Sequence, residues 1–419
     1  MQRFDLAVIG GGASGLMAAV TAAQCAPNLR IAVFESAPRV GKKLLATGNG
    51  KCNITNLNAD PSHYHGDASA IAPLLAQYPP KAVLAQFARL GLLCRSDEAG
   101  RVYPYSRQAA SVLDVLRFAA DRLNVQTVCD ATVTQIAKTT SGFMLQTASG
   151  NKAAARAVIL ATGGKASPQL SGAQNGYALA QSLGHHVTPL YAALTIVKTP
   201  PQTVKALKGM RALASCTLSI SGQVDRHQTG EVQFTEQGLS GVCIFQFSRH
   251  VAQAVDQGRT VHISLDFMPE HTHAAVTDLV QTAVSLFPQQ PALELLQGLL
   301  NKRVGQAVMR TALPQAVSKP AQQLSKAELA AVTKTIKQLR FPCLGTAAFS
   351  QAQITAGGVS LSGLTPMLSS RMHPGLYFTG ELLNIDGDCG GFNLHWAWVS
   401  GIVAGTSAAH ILTQQENKP

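Results

Sequence analysis

Three glycines near the N-terminus have the spacing of a turn that binds phosphate groups. Gly10, Gly12 and Gly15 follow the short apolar run of residues 6–9 and precede a stretch rich in alanine. In such a strand–turn–helix unit, the first glycine permits a tight turn, the second lets the backbone approach a pyrophosphate, and the third lets the helix pack closely on the strand. The free N–H groups and the positive dipole end of the helix attract the phosphates.

An acidic residue follows the next predicted strand. The apolar run at residues 31–34 ends in Glu35, about 20 residues beyond Gly15, where this type of unit places the carboxylate that binds a ribose. A glycine-rich surface turn with a solvated glutamate is the alternative interpretation. The complete strand–helix–strand context favours an adenine dinucleotide site.

Two later segments extend the same sheet. The apolar run at residues 157–161 ends in Thr162 and Gly163, and the run at 375–379 ends in Gly380 and Glu381. The carboxyl ends of parallel strands form the edge at which ligands bind in such folds. The nucleotide-binding domain is therefore expected to be split, with N-terminal and C-terminal parts that flank an insertion.

Changes in the sequence pattern along the chain predict four segments. Residues 1–190 and 341–419 form the two parts of the nucleotide-binding domain. Short alternating runs separated by turns predict a β-rich inserted domain at 191–268. Helical periodicity predicts a small helical subdomain at 269–340, where Ser325 and Glu328 have the spacing of a capping box.

Composition excludes several classes of protein. The chain has 419 residues, enough for two or three domains, and 46% of them are hydrophobic, so it is not a disordered protein. No apolar run reaches the length of about 18 residues that a membrane span requires. The first strand begins at the N-terminus, which leaves no room for a secretory signal, so we expect a cytoplasmic protein. None of the eight cysteines forms a Cys-x-x-Cys pair, so neither a zinc ribbon nor a thioredoxin-like redox pair is predicted, and no metal site is expected.

Positive charge is concentrated in one part of the chain. The formal net charge is +12, and residues 301–340 contain eight basic residues against one acidic residue. A solvated helical face is a common reason for such a block. A concentrated basic block is also the footprint expected of a surface that binds RNA. The candidates for RNA contact are Arg303, Arg310, Lys326, Lys334 and Lys337.

Several motifs together resemble one known family. The chain resembles the BaiN/YhiN-like flavoproteins, which include the RdsA-type ribosomal RNA dihydrouridine synthases, over essentially its whole length. The Gly-rich loop that contains Cys52 and the Gly-Gly-Phe-Asn turn at the C-terminal end are more specific than the glycine fingerprint. The matching stretches are residues 8–15, 47–56, 161–164, 234–241, 354–359 and 380–398.

The resemblance implies a fold and a cofactor. The fold would be an α/β, glutathione-reductase-like FAD-binding Rossmann domain that is split by an inserted β-barrel-like domain with a small helical subdomain. FAD would lie in an extended pose, and a helix that begins near Gly391 would aim its N-terminus at the flavin and stabilise the charge of the reduced ring. The residues implied in FAD binding are Gly10, Gly12, Ala13, Ser14, Gly15, Glu35, Ser36, Lys43, Thr47, Gly48, Asn49, Gly50, Asn53, Val133, Thr162, Gly163, Gly380, Glu381, Gly391, Phe392 and Asn393.

The activity implied by the resemblance is reduction of a uridine in 23S ribosomal RNA to dihydrouridine. Hydride from reduced flavin would go to C6, and an acid on the opposite face would protonate C5. The candidate acids are Cys52 and Cys389, which lie in glycine-rich loops, although each is also consistent with an inert buried thiol. Asp386 and Asp388 are interpreted as charges near the N-terminus of the last helix.

Two other functions stay open. One is an FAD-dependent oxidoreductase of a small molecule such as an amine or an enone, and the other is a flavin-bound sensor or scaffold without turnover. We find no second complete dinucleotide fingerprint, since Gly163–Gly164 and Gly357–Gly358 are isolated pairs. NADH or NADPH is therefore expected to visit a surface near the flavin transiently.

Overall fold

The computed structural model describes residues 1–170, 172 and 175–416. These residues divide into two units, the first made of Met1–Tyr191 and Gln353–Pro419 and the second of Ala192–Ala352. The strands are β1 (Gln2–Ile9), β2 (Ile31–Phe34), β3 (Thr55–Asn56), β4 (Tyr64–Gly66), β5 (Cys94–Ser96), β6 (Arg101–Pro104), β7 (Gln126–Val128), β8 (Val133–Thr139), β9 (Gly142–Thr147), β10 (Lys152–Leu160), β11 (Tyr191–Ala193), β12 (Val197–Lys198), β13 (Arg211–Ile220), β14 (Gln223–Phe234), β15 (Gly238–Ser240), β16 (Val261–Asp266), β17 (Leu339–Pro342), β18 (Gly345–Thr346), β19 (Ile354–Ala356), β20 (Leu376–Phe378) and β21 (Ile385–Gly387). The helices are α1 (Ala13–Cys25), α2 (Lys42–Ala46), α3 (Ala68–Gln77), α4 (Pro80–Arg89), α5 (Ala109–Arg122), α6 (Gly176–Ser182), α7 (Pro201–Val204), α8 (Val242–Asp256), α9 (His273–Leu286), α10 (Lys302–Ala312), α11 (Lys326–Lys337) and α12 (Phe392–Glu416).

A seven-stranded sheet forms the centre of the first unit. Its strand order is β7-β2-β1-β10-β9-β8, and β20 also pairs with β10. Strand β10 is long enough to pair twice along one edge: its first half is antiparallel to β9, and its second half is parallel to β20. The pairs β7–β2, β2–β1 and β1–β10 are parallel, so their carboxyl ends meet at one edge.

Both faces of this sheet are covered. Successive side chains of a strand point to opposite faces. In β1, Ala7 and Ile9 belong to one hydrophobic cluster, and Leu6 and Val8 belong to another, all four being buried. Burial on both sides explains why this strand is continuously apolar in the sequence.

The last helix closes the unit by packing on the first helix. In α12, Gly401 and Gly405 face the backbone of α1, and a Cβ added at Gly401 would lie only 2.6 Å from the Ser14 carbonyl oxygen. The small residues of α12 therefore permit a close helix–helix approach. This contact holds the C-terminal part of the chain against the N-terminal glycine turn and the helix that follows it.

The second unit has its own antiparallel sheet and its own core. The strand order is β17-β16-β13-β14-β15-β12-β18, and the neighbouring strands are antiparallel. Helices α8 to α11 contribute to the same hydrophobic cluster as these strands. The segments 191–268 and 269–340, predicted as separate parts, thus share one core within this unit.

These observations confirm the predicted α/β fold class with a parallel, Rossmann-type sheet, and the chain inserted between its two parts forms an antiparallel sheet. The barrel-like form of this insert stays a prediction. The prediction of the capping box is also confirmed, because the Ser325 side chain accepts from the Glu328 N–H and the Glu328 carboxylate accepts from the Ser325 N–H. Over residues 1–170, 172 and 175–416, no helix is long and apolar enough to span a membrane.

Candidate functional site

A long cavity follows the carboxyl edge of the parallel strands in the first unit. Its free space, including the open mouth, amounts to about 1260 Å³. The first turn of α1 and the end of β2 border one part of the cavity, and the first turn of α12 borders another. The N-termini of two helices therefore border one cavity, which suits a ligand that carries hydrogen-bond acceptors at two separate points.

The glycine turn has the shape that its spacing predicts. Gly10 has a φ of +110°, which residues other than glycine rarely adopt. The space that a Cβ would occupy at Gly10 is filled by the Ala161 carbonyl group. Gly15 packs directly on the Gly10 carbonyl oxygen. Gly12 differs, because a Cβ built on it would meet no heavy atom within 4 Å. The backbone at Gly12 is therefore open to the cavity, as close approach of a pyrophosphate requires.

Glu35 is positioned by the backbone around it. Its Oε2 accepts from the Gly11 N–H at 2.8 Å, and its Oε1 accepts from the Ala37 N–H at 2.8 Å. The residue lines the cavity and is only 9% exposed. The carboxylate is thus held beside the glycine turn, which is consistent with its predicted contact to a ribose.

An ion pair lies in the wall of the cavity. Lys43 Nζ and Glu381 Oε2 are 2.7 Å apart, although 338 positions separate them in the chain. Glu381 Oε1 also accepts from the Thr355 N–H at 2.8 Å. The backbone bond orients the carboxylate, and the carboxylate in turn holds the ammonium group at the cavity wall.

A glycine pair and an asparagine set the start of α12. Gly390 and Gly391 have φ values of +133° and +101°. The Asn393 side chain accepts from the Gly387 N–H at 2.8 Å and donates to the Gly387 carbonyl at 2.8 Å, which closes the turn that precedes the helix. Because the first N–H groups of a helix have no intrahelical acceptor, they are free to bind a ligand at this end of the cavity.

These features fit FAD. Thr162 borders the cavity, and its Oγ1, which packs against Gly176, is a buried atom that has no hydrogen-bond partner within the described chain. Buried polar atoms are almost always hydrogen-bonded, so this atom indicates a missing polar ligand. Together with the open backbone at Gly12 and the two helix N-termini, it matches an extended dinucleotide with a pyrophosphate in its middle.

The loop from Thr47 to Asn53 is tightly folded and places Cys52 in the interior. Asn49 and Cys52 have φ values of +54° and +56°, and the Cys52 N–H donates to the Thr47 carbonyl at 3.0 Å. Cys52 is completely buried, and burial raises the pKa of its thiol to about 12. Burial thus keeps this thiol protonated at neutral pH, and its role as an acid toward a ligand stays a prediction.

Cys389 follows a residue whose role the sequence did not indicate. Burial raises the pKa of the Cys389 thiol, although the residue is partly exposed. Its neighbour Asp388 binds two histidines, His63 and His65, each at 3.1 Å. Asp388 is therefore a hydrogen-bonding centre as well as a charge near a helix N-terminus, and no local spacing could have revealed histidines so far away in the chain.

The structure brings together many of the residues that the sequence singled out. Those that line the cavity are Gly10, Gly12, Ala13, Ser14, Glu35, Ser36, Lys43, Thr47, Val133, Thr162, Gly163, Glu381 and Asn393. The others are not among the lining residues, although several are chain neighbours of lining residues: Gly15, Gly48, Asn49, Gly50, Asn53, Gly380, Gly391 and Phe392. Their individual roles toward FAD stay predictions.

Sequence reasoning missed part of the cavity wall. Trp396 lines the cavity, and its Nε1 donates to the Gly380 carbonyl at 3.2 Å. Trp398 of the same helix is a core residue instead, since it is completely buried and donates to the Ile54 carbonyl at 2.9 Å. The difference lies in which side of α12 faces the cavity, and that depends on the packing of α12 on α1.

The basic block of the second unit is partly neutralised by the chain itself. Lys337 Nζ lies 2.7 Å from Asp266 Oδ2, and Arg303 donates to the Ala206 carbonyl at 2.6 Å and 3.0 Å. Two further pairs join Lys302 to Glu294 and Lys319 to Glu328. Among the predicted RNA contacts, the side chains of Arg303 and Lys337 form bonds within the chain. No hydrogen bond or ion pair to other described residues is present for the side chains of Arg310, Lys326 and Lys334.

Comparisons with known proteins agree with this fold. The family described as "HI0933-like protein Rossmann domain" matches residues 4–407. A 3-dehydro-bile acid Δ4,6-reductase of Clostridium scindens is 37% identical over 96% of this chain and 98% of its own length. A ribosomal RNA dihydrouridine synthase of Escherichia coli is 28% identical over 96% of both chains. The solved 3-ketosteroid-Δ4-(5α)-dehydrogenase of Rhodococcus jostii has a TM-score of 0.50 at 16% identity and covers 97% of both chains, which shows similarity of fold.

Proposed function

Because the chain belongs to the HI0933-like family of FAD-dependent oxidoreductases, we propose that it reduces a carbon–carbon double bond conjugated to a carbonyl group in a small cyclic molecule. The observation that carries the proposal is the single cavity onto which the glycine turn and the N-terminus of α12 both open. Bound FAD would supply the hydride, after its own reduction by NADH or NADPH.

The residues of the chain would bind and orient the cofactor. The open backbone at Gly12 would contact the pyrophosphate, and Glu35 would accept a hydrogen bond from the ribose. The N–H groups at the start of α12 would lie at the flavin end, where a positive helix dipole stabilises a developing negative charge. Apolar side chains, among them Leu394 and Trp396, would limit the access of water to that end.

A small conjugated ketone is favoured over RNA for two reasons. The relative at 37% identity is named as a reductase of a bile acid, whereas the ribosomal RNA enzyme shares 28%. In addition, Arg303 and Lys337 are bound within the chain and are poorly available to phosphate groups. This order of preference reverses the one that the sequence alone suggested.

A uridine of 23S ribosomal RNA is the second candidate. The C5=C6 bond of uridine is conjugated to a carbonyl, so its reduction needs the same chemistry. The observation that favours RNA is the net charge of +12, together with exposed basic residues in the second unit such as Arg310, Lys326 and Lys334. A flavin-bound sensor without turnover is not proposed, because the relatives at 37% and 28% identity are both named as enzymes.

The test is anaerobic reoxidation of the reduced holoenzyme. Protein reduced with one equivalent of NADH or NADPH is mixed with a 3-oxo-Δ4 steroid, with its saturated 3-oxo analogue, or with unmodified 23S ribosomal RNA. We expect the unsaturated ketone to restore flavin absorbance at 450 nm within seconds and the saturated analogue to have no effect. Reoxidation by RNA alone, with formation of dihydrouridine, would overturn the choice of substrate.

Charge reversal distinguishes the two candidates independently. The double variant Lys326→Glu/Lys334→Glu removes exposed positive charge from α11 without breaking an ion pair of the described chain. The control is the double variant Lys81→Glu/Lys152→Glu, which makes the same change at exposed residues of the first unit. For a small-molecule reductase, both pairs leave turnover unchanged. For an RNA enzyme, the α11 pair weakens RNA binding and lowers its salt dependence, while the control pair does not.

A further inference from the structure

Two cysteines of the second unit are in contact, although 27 positions separate them in the chain. Cys216 lies on β13, and Cys243 is the second residue of α8. Their Sγ atoms are 3.9 Å apart, which leaves no room for another atom between them. Cys216 is completely buried, and Cys243 is only 4% exposed. The two thiols therefore face each other inside the second unit.

The sheet and the helix hold the two cysteines in place. Cys216 pairs with Gln228 of β14 on one side and with Leu265 of β16 on the other, so its backbone belongs to the middle of the antiparallel sheet. Both cysteines belong to the hydrophobic core that this sheet shares with α8. On β14, a Cβ built on Gly230 would lie 3.3 Å from Cys243 Cβ and 3.5 Å from its Sγ. The contact between the sulfur atoms thus results from packing of α8 on the sheet.

The surroundings of the two thiols are not equivalent. The Cys216 thiol donates to Cys243 Sγ, and this hydrogen bond, with smaller contributions from the N–H groups of Cys243 and Ile244, lowers the pKa of Cys243 despite burial and the nearby Glu231 carboxylate. Those N–H groups belong to the first turn of the 15-residue helix α8, where the helix dipole also favours a negative charge. The same contact and burial raise the pKa of Cys216. Cys243 is therefore the sulfur that ionises first.

The third cysteine of this unit shows what burial alone does. The Cys343 thiol donates to the Phe341 carbonyl at 3.8 Å, and burial raises its pKa to about 12. Cys343 is 8% exposed, so it is no more deeply buried than Cys243. A second sulfur in contact and a place in the first turn of a helix distinguish Cys243 from an inert core thiol.

We propose that Cys216 and Cys243 form a site of reversible oxidation, which hydrogen peroxide converts from two thiols to a disulfide bond. The inference goes beyond the function proposed above and does not depend on it, because the reaction needs no cofactor. Hydrogen peroxide is a small molecule, and Cys243 follows Val242, which is 56% exposed, so the reactive sulfur lies close to the surface. The bond would tie the first turn of α8 to β13 and so constrain the unfolded chain.

The atoms and electrons of the reaction balance over two steps. In the first step, the Cys243 thiolate attacks one oxygen of hydrogen peroxide. An S–O bond forms, the O–O bond breaks and hydroxide leaves, which gives a sulfenic acid. In the second step, Cys216 Sγ attacks the Cys243 sulfur, so that the S–S bond forms, the S–O bond breaks and water leaves. The two thiols lose two hydrogens and two electrons in total, and the peroxide is reduced to two molecules of water.

The experiment identifies the oxidised cysteines by mass spectrometry. The native protein is treated with a small excess of hydrogen peroxide, quenched with catalase, denatured in iodoacetamide without a reductant and digested with trypsin. Trypsin cuts after Arg211, Arg226 and Arg249, so Cys216 and Cys243 fall in different peptides. We expect these two peptides to be cross-linked, with a mass lower by two hydrogens than the sum of the reduced peptides. Treatment of the oxidised protein with dithiothreitol should restore both thiols.

Three variants assign the order of the two steps. Cys216→Ser keeps a hydroxyl donor beside Cys243 but cannot complete the disulfide, so the sulfenic acid should accumulate at Cys243 and be trapped by dimedone. Cys243→Ser should give neither a cross-link nor a dimedone adduct at Cys216. Cys343→Ala, a control at the third cysteine of the same unit, should form the cross-link as the wild type does. The melting temperature of each variant before oxidation detects loss of folding, and the wild-type measurement tests the proposal without any variant.

The proposal predicts that the cross-link forms about 10-fold or more faster than the Cys343 thiol is lost. Full alkylation of Cys216 and Cys243 after the peroxide treatment would overturn it, because neither sulfur would then have reacted. Separate oxidation of the two sulfurs to sulfinic acids, with no cross-linked peptide, would overturn it as well. None of these measurements involves turnover of a flavin, so failure of this proposal and failure of the proposed reductase function are distinguishable.

Discussion

Substitution of Gly12 by alanine tests the assignment of the nucleotide-binding turn most directly. A Cβ at Gly12 meets no heavy atom of the chain within 4 Å, and the φ of −81° at this position is allowed for alanine. We therefore expect the FAD-free Gly12→Ala protein to melt at the wild-type temperature. The added methyl group instead occupies space that a pyrophosphate needs when it approaches the backbone.

The size of the effect follows from the bonds at risk. A hydrogen bond from a backbone N–H to a charged group contributes about 1.5–3 kcal/mol. Loss of one such bond would weaken FAD binding by about 10- to 100-fold. Titration of the FAD-free protein with FAD, followed by calorimetry or by quenching of flavin fluorescence, measures this change.

Two other glycines supply the controls. In Gly15→Ala the new Cβ would overlap the Gly10 carbonyl oxygen, so α1 must move, and the FAD-free protein should lose about 1–3 kcal/mol of stability. Gly298 lies in the second unit and has open space around it, so Gly298→Ala should change neither property. If Gly12→Ala binds FAD as tightly as wild type, the pyrophosphate does not contact this backbone, and the reasoning is refuted.

Three more predictions follow from the site. Cys52→Ala should keep FAD content and turnover within about twofold of wild type, because the Cys52 side chain is completely buried and is not among the residues that line the cavity. A loss of about 100-fold would support Cys52 as the acid. Glu381→Gln removes the carboxylate that pairs with Lys43, so the positive charge of Lys43 is no longer balanced. A redox titration should then show a more positive flavin potential, with a shift of about 30 mV for every ~1.4 kcal/mol of added stabilisation of the reduced flavin. An unchanged potential would place Lys43 away from the flavin. Burial lowers the pKa of His395 from 6.5 to about 4, so the unfolded chain binds a proton at this histidine at a higher pH than the folded chain does. The free energy of unfolding should therefore fall, by up to about 3 kcal/mol, as the pH drops from about 6.5 to 4. Urea unfolding across this pH range measures the change, and the same pH dependence in His395→Gln would contradict the prediction.

Local sequence patterns predicted the parts of the site that depend on local backbone geometry. The turn at Gly10, Gly12 and Gly15 is one example, since a tight strand–helix connection needs glycine at set positions whatever lies elsewhere in the chain. Glu35 is another, because its carboxylate binds N–H groups of its own strand end and of the adjacent turn. Such contacts join neighbours in one supersecondary unit, so spacing alone anticipates them.

The position of the Cys52 side chain shows the limit of this reasoning, while its role as an acid stays a prediction. Its position in a glycine-rich loop made it a candidate acid, and the loop does border the cavity through Thr47. The direction of the side chain depends on the φ of +56° at Cys52 and on the packing around it, which no residue type in the loop specifies. Burial then determines the pKa, and burial is a tertiary property.

The sequence by itself determined the fold class, the glycine turn between β1 and α1, and the return of the chain to the first sheet at its C-terminal end, because each depends on apolar periodicity and on glycine at fixed spacing. The tertiary structure alone decided which distant side chains meet. Lys43 reaches Glu381, and His63 and His65 reach Asp388, only because β20 joins β10, β21 joins β4, and α12 packs on α1. Contacts across more than 300 positions depend on how these elements assemble, and that assembly is where the proposed chemistry arises.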